Sequence, residues 1–174
     1  MEPESTQRRL RAFVVIILIV VCWAATGASA QEHSWYRQFT ADRKISVEFP
    51  GKTLARPQGD QQSYLVMGHA GTELFLFDLQ VYPLPTTMDA SDPKRLLEHL
   101  LAGETDKKFA HRTLKKVDGV DAIDASGVND KGQDTRLQIL LKDGKVIFVT
   151  FTGPSGLLEE PMVKRFFSSL HVKQ

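Results

Sequence analysis

The chain has 174 residues, 42% of them hydrophobic and 25% charged, with 22 Lys and Arg against 21 Asp and Glu. That length is about one domain's worth, and the apolar content is well above the level that marks disorder, so one folded core is expected. Three of the basic and two of the acidic residues fall within residues 1–30, which leaves the remainder formally neutral. Nucleic acid and anionic membrane surfaces normally demand a basic excess, so neither is expected as a partner.

Residues 1–11 are polar and basic, Ala12–Ala25 is a fourteen-residue apolar run, and Ala28-Ser29-Ala30 precedes Gln31. This is the pattern of a secretory signal peptide. The apolar run is shorter than the ~20 residues a spanning helix needs, and the small-residue triplet is a cleavage site. Cleavage is expected after Ala30, with an uncleaved anchor as the alternative. Val21 stands before Cys22 where a lipoprotein signal would carry a small residue. The domain is therefore expected to span residues 31–174, exported to a periplasm or beyond. Without Cys22 it holds no cysteine for a disulfide, a thiolate metal site or a nucleophile.

Trp35–Thr40 and Ile45–Phe49 read as short strands around the turn-prone Ala41-Asp42-Arg43-Lys44, and Pro50-Gly51 ends the second. Residues 52–62 have no periodicity and read as a loop. Ser63–Ala70 is the next strand, and Gly71-Thr72 turns it into Glu73–Tyr82, the stretch expected to be the central strand. In that stretch Phe75, Phe77, Leu79 and Val81 share one face, while Leu74, Leu76, Asp78, Gln80 and Tyr82 share the other. One face is fully apolar and the other only at one end, which suits an antiparallel sheet. Pro83 and Pro85 end the strand, because proline lacks the N–H a ladder requires.

Ser91-Asp92-Pro93 is a helix start, and Leu96, Leu97, Leu100 and Leu101 give the helix one apolar stripe up to Gly103. Period two then returns in four runs: Ala110–Val117, Val120–Val128, Thr135–Lys142 and Lys145–Thr152. Asp118-Gly119 and Asp143-Gly144 join the outer pairs, a sequence that accepts the positive φ of a type I′ hairpin turn. A four-stranded antiparallel meander is expected, with Arg136, Gln138 and Lys142 on a solvated face. Met162, Val163, Phe166, Phe167 and Leu170 mark a second helix that docks on the sheet, and His171 and Val172 add an extended tail. The fold class is α+β: an antiparallel sheet of about six to eight strands flanked by two helices.

Several phrases are familiar. Ile45-Ser46-Val47-Glu48-Phe49-Pro50-Gly51, Val117-Asp118-Gly119 and Arg165-Phe166-Phe167-Ser168-Ser169-Leu170 resemble a class of exported bacterial domains. That class is similar in layout to the PsbP-like fold of the extrinsic photosystem II subunit and to the periplasmic DcrB-like proteins. The resemblance spans nearly all of residues 31–174 and implies an α+β binding or assembly module without known catalytic residues. Its phrases hold fold positions, so no functional residue carries over.

Chemistry-bearing clusters are sparse. The five histidines, His33, His69, His99, His111 and His171, show no metal-ligand spacing; only His69 and His111, both on strands, are candidates to approach each other. Asp118, Asp121, Asp124, Asp130 and Asp134 form the densest acidic stretch, but Asn129–Asp134 misses the EF-hand pattern because Lys131 sits within it. Gly153-Pro154-Ser155-Gly156 lacks the spacing of a nucleophile elbow. Trp35, Tyr36, Tyr64 and Tyr82 leave room for an aromatic patch or groove. No catalytic, cofactor-binding or metal residue is assigned and no cofactor is expected. The expected role is a non-catalytic accessory or protein-interaction module of the bacterial envelope, with another envelope protein as partner. The alternative is a small-molecule or lipid carrier, with a pocket between the sheet and the helices bearing Leu96 and Phe166. A hydrolase is the remaining, less favoured reading.

Overall fold

The structure is a computed structural model, and it describes residues 34–56 and 60–173. The signal segment expected over residues 1–30 lies outside the described residues.

Two antiparallel sheets carry the fold. The larger runs β3(Leu54–Ala55)–β4(Gln62–Ala70)–β5(Glu73–Pro83)–β9(Lys145–Gly153)–β8(Asp134–Lys142)–β7(Val120–Asn129)–β6(Lys107–Val117). The smaller is β1(Tyr36–Phe39)–β2(Ile45–Phe49)–β10(His171–Val172). The expected α+β class and the meander from β6 to β9 are both present, and the two helices are α1(Pro93–Ala102) and α2(Pro161–Ser168). Two features were not expected: the split into two sheets, and the two-residue β3 inside the stretch read as a loop.

Local chemistry accounts for the joints. Both Asp-Gly pairs adopt positive φ at both positions, 49° and 84° at Asp118-Gly119 and 49° and 70° at Asp143-Gly144, as a type I′ turn requires. At the start of α1 the Asp92 carboxylate accepts a hydrogen bond from the Arg95 N–H at 3.1 Å, and Pro93 takes a position where its missing N–H costs nothing.

Each face of the larger sheet has its own core. On one, Phe75, Phe77, Leu79 and Val81 of β5 meet Phe166, Phe167 and Val163 of α2 and Ile45, Val47 and Phe49 of β2. Phe77 and Phe166 pack edge to face at 4.8 Å, an arrangement favoured by the ring quadrupoles. On the other face Leu97 and Leu101 of α1 cover Ile123, Ala125, Leu137 and Ile139 of β7 and β8. The expected solvated face of β8 is corrected here: Gln138 is 1% exposed and Leu140 0%. The α2 layer closes over that side, and Gln138 turns its amide to Asp124 instead of to water.

Candidate functional site

Among the described residues α1 sits on β7 and β8, and no helix lies over β4, β5 and β9 on the same face. Strand alternation and register decide which side chains stand there. Leu76 pairs with Thr152 and Met67, and Asp78 with Thr150 and Leu65, so Met67, Leu74, Leu76, Asp78, Gln80, Phe148, Thr150 and Thr152 share this surface. They floor a cleft of about 590 Å³ whose walls come from Glu104, Asp106 and Lys107 after α1 and from Asn129, Lys131 and Gln133 at the β7–β8 turn. Its outer end is apolar, with Met67 and Leu74 more than half exposed, and Leu54 of β3 lies on the same side.

At the inner end the floor is polar. Tyr82 donates its hydroxyl proton to Gln80 Oε1, and Gln80 donates from Nε2 to Asp78 Oδ2. Ser63 Oγ donates to Asp78 Oδ1 at 3.3 Å. The spacing of two along β5 makes this line possible, since residues 78, 80 and 82 project to one side. Asp78 is only 7% exposed. Burial pushes its carboxyl above the usual range, and the hydrogen bonds from Gln80 and Ser63 offset only part of that effect. Burial likewise raises Tyr82, with the negative charges of Asp78 and Glu104 adding to it. On the wall, burial alone would lower the Lys107 ammonium, but its bonds to Glu104 and Asp106 outweigh that and raise it.

A second carboxylate, Asp124 of β7, sits on the opposite face. Arg136 reaches it with Nε at 3.1 Å and Nη2 at 2.8 Å, Lys115 with Nζ at 2.6 Å, and Gln138 with Nε2 at 2.9 Å. The Arg136 guanidinium also stacks 4.5 Å from the centre of the Phe167 ring. Burial pushes Asp124 up, and the bonds from Arg136 and Lys115 reverse this, leaving it below the ordinary carboxylate range.

The residues singled out in the sequence do not assemble. His69 on β4 and His111 on β6 are five strand positions apart, about 24 Å at the usual spacing, and do not meet. His171 Nδ1 is 2.7 Å from Asp118 Oδ2, His99 lies on α1, and His33 is outside the described residues. The acidic stretch is strung out: Asp121 pairs with Lys116, Asp124 with Arg136 and Lys115, and Asp134 accepts the Gly156 N–H. Among the described residues no group of three or more His, Cys, Asp and Glu is placed to hold a metal ion. Ser155 Oγ donates to the Gly132 carbonyl in an exposed turn.

The aromatic patch does not form either. Tyr64 pairs in register with Leu79 and packs on the α2-side core, whereas Tyr82 stands on the cleft side. Tyr36 is exposed on β1, and Trp35 lies under the Arg165 guanidinium at 4.2 Å. The pocket expected between the sheet and the helices is displaced as well. Phe166 is 0% exposed in the core and Leu96 5%, and the cleft opens beside α1 instead of beneath it. The signal missed in the sequence was the polar set Asp78, Gln80 and Tyr82 at every second position of the most apolar strand.

No protein-family model and no curated protein matches the chain. Among solved structures, one similar protein is cyanobacterial PsbP (CyanoP) from Synechocystis sp. PCC 6803, 11% identical, with a TM-score of 0.47 over 84% of this chain and 97% of that one. Another is PA94 of Pseudomonas aeruginosa, titled a protein of unknown function and putative regulator, 17% identical, with a TM-score of 0.51 over 80% of this chain and 98% of that one. The likeness to PA94 is one of fold. The α+β layout expected from the sequence is thus one that PA94 shares.

Proposed function

We propose that this chain is an exported, non-catalytic accessory module of a bacterial cell envelope that works by binding another envelope protein, and not nucleic acid. The observation that carries the reading is the half of the sheet that no described element covers, where Leu54, Met67 and Leu74 are exposed together on one side. Contiguous apolar surface of this kind is costly to leave in water and marks interaction sites. The signal-peptide pattern of residues 1–30 supports export, and the scattered histidines and acids support a role without chemistry of its own. The test places a photo-crosslinking amino acid at Met67 and, as a control, at Lys164 on α2, in cells that carry the native envelope. A discrete protein adduct from position 67 and none from position 164 is expected. No adduct at 67, or the same adducts at both, defeats the reading.

A second reading, a carrier of small molecules, is favoured by the cleft itself. Its volume of about 590 Å³ falls within the ~300–1,000 Å³ of ligand pockets, and its lining mixes apolar side chains with a few polar ones. Native mass spectrometry of the protein as it leaves the cell tests this: a bound small molecule supports it, and an apo mass throughout removes it.

A further inference from the structure

The cleft is graded from one end to the other. Its outer part is Met67, Leu74 and Leu76; its inner part is the Asp78 carboxylate with Gln80 beside it. Leu74 and Asp78 lie four positions apart along β5, a run of about 14 Å at the usual rise per residue. That length matches an extended alkyl chain of about eight to ten carbons with a polar group at one end.

The sign of that group follows from the charges. The floor carries one buried carboxylate; the donors bonded to it, Gln80 Nε2, Ser63 Oγ and the Leu79 N–H, are neutral, and the Arg56 charge acts on it only through space. On the wall Lys107 is committed to Glu104 and Asp106, and Lys131 balances the second of those acids, so the wall is neutral and the floor carboxylate sets the sign. A buried carboxylate with no cation bonded to it is held at a cost, which the through-space charge of Arg56 only partly offsets, and a cation brought into contact relieves the rest. A carboxylate or phosphate headgroup would meet repulsion at the same place. The contrast with Asp124 is direct, because that carboxylate already holds two cations of the protein's own.

Building on the carrier reading, we infer that the cleft binds amphiphilic amines: an apolar chain lies along Met67, Leu74 and Leu76, and the ammonium donates its hydrogen bonds to Asp78. The ligand class is therefore cationic and single-tailed.

The full chain, isotope-labelled, is titrated with octylammonium, 1-octanol and octanoate while backbone amide shifts are followed by NMR. Octylammonium is expected to shift the amides of Met67, Leu76, Asp78 and Thr150 saturably and to bind about tenfold or more tightly than octanol, the usual scale for a hydrogen bond to a charged partner. Octanoate is expected to leave these amides unmoved. Asp78→Asn should erase the preference for the amine over the alcohol. Leu74→Ser, at an exposed position that does not threaten folding, should weaken the amine about threefold or more by removing apolar contact without adding charge. If octanol and octylammonium move the same cleft amides with equal affinity, the inference is overturned while the carrier reading stands. If none of the three probes shifts the cleft, both fall.

Discussion

Two aspartates sit well inside strands of the same sheet, on opposite faces, and the protein treats them differently. Around Asp124 it supplies Arg136, Lys115 and the Gln138 amide, so the charge is neutralised and its pKa falls. Around Asp78 it supplies Gln80, Ser63 and the Leu79 N–H, with Arg56 acting through space and not by a bond; burial dominates, and the pKa rises. Burial alone therefore does not decide what a strand carboxylate is for. The first corner has its charge fully paired, although Gln138 Oε1 is buried there without a hydrogen-bond partner, and it reads as structural. The second is an incompletely compensated charge beside a cleft, the situation in which a functional role is the sharper explanation.

The comparison can be broken most forcefully at Asp124. Asp124→Ala leaves Arg136 and Lys115 without their shared acceptor and is expected to cost about 3 kcal/mol by urea unfolding at neutral pH, as for a buried pair stripped of one partner. A loss under about 1 kcal/mol would place this corner with ordinary surface ion pairs and dissolve the contrast. Asp78→Asn should run the other way, with a gain of up to about 1 kcal/mol at neutral pH as the buried charge disappears. A clear loss of stability there would make Asp78 a structural residue after all.

Titration sharpens the same point, because the two groups move stability with opposite signs. The lowered pKa of Asp124 contributes stability that is present above the ordinary carboxylate range and is lost as pH falls through its folded-state value. The raised pKa of Asp78 means the fold is unburdened below the ordinary Asp value of about 4 and loses stability as pH rises through the raised value. The gain from Asp78→Asn should accordingly vanish below about pH 4, while the loss from Asp124→Ala should shrink with further acidification. Unfolding curves of the two variants and the parent across the acid range check both directions. Smallest of all, Leu74→Ala on the open half should change stability by less than about 0.5 kcal/mol, since this side chain is already 52% exposed. A larger loss would mean that the open half is part of the core.

Much of the fold was legible because its causes are local. Each Asp-Gly pair encodes its own turn, Asp92-Pro93 encodes the start of α1, and the alternation in β5 separates its faces without reference to any other strand. What escaped depends on partners distant in sequence. Gln138 reads as a solvated residue until α2, more than twenty positions later, covers its side of β8. Tyr64 and Tyr82 look like neighbours until the register places them on opposite faces. The cleft was illegible for the same reason: its floor from β4, β5 and β9, the exit from α1 and the β7–β8 turn come from four separate stretches of the chain. Asp78 stood out in the sequence only as an acid on the partly apolar face of β5, and nothing local to that strand told that it would be buried beside a cleft.

One feature of the smaller sheet governs the order of assembly. β10 pairs with β2, Lys173 donates its N–H to the Lys44 carbonyl at 2.7 Å, and Phe166 packs on Phe49 at 5.1 Å. Contacts that bridge well over a hundred residues form only after long loops have closed, so they slow folding and defer its completion. A nascent chain that has released Ile45–Phe49 but not Pro161–Val172 holds half of its α2-side core without a lid. The moment when residues 161–172 become free to fold back is the moment this domain becomes a closed body. Until then the chain remains open to whatever machinery handles unfolded polypeptides.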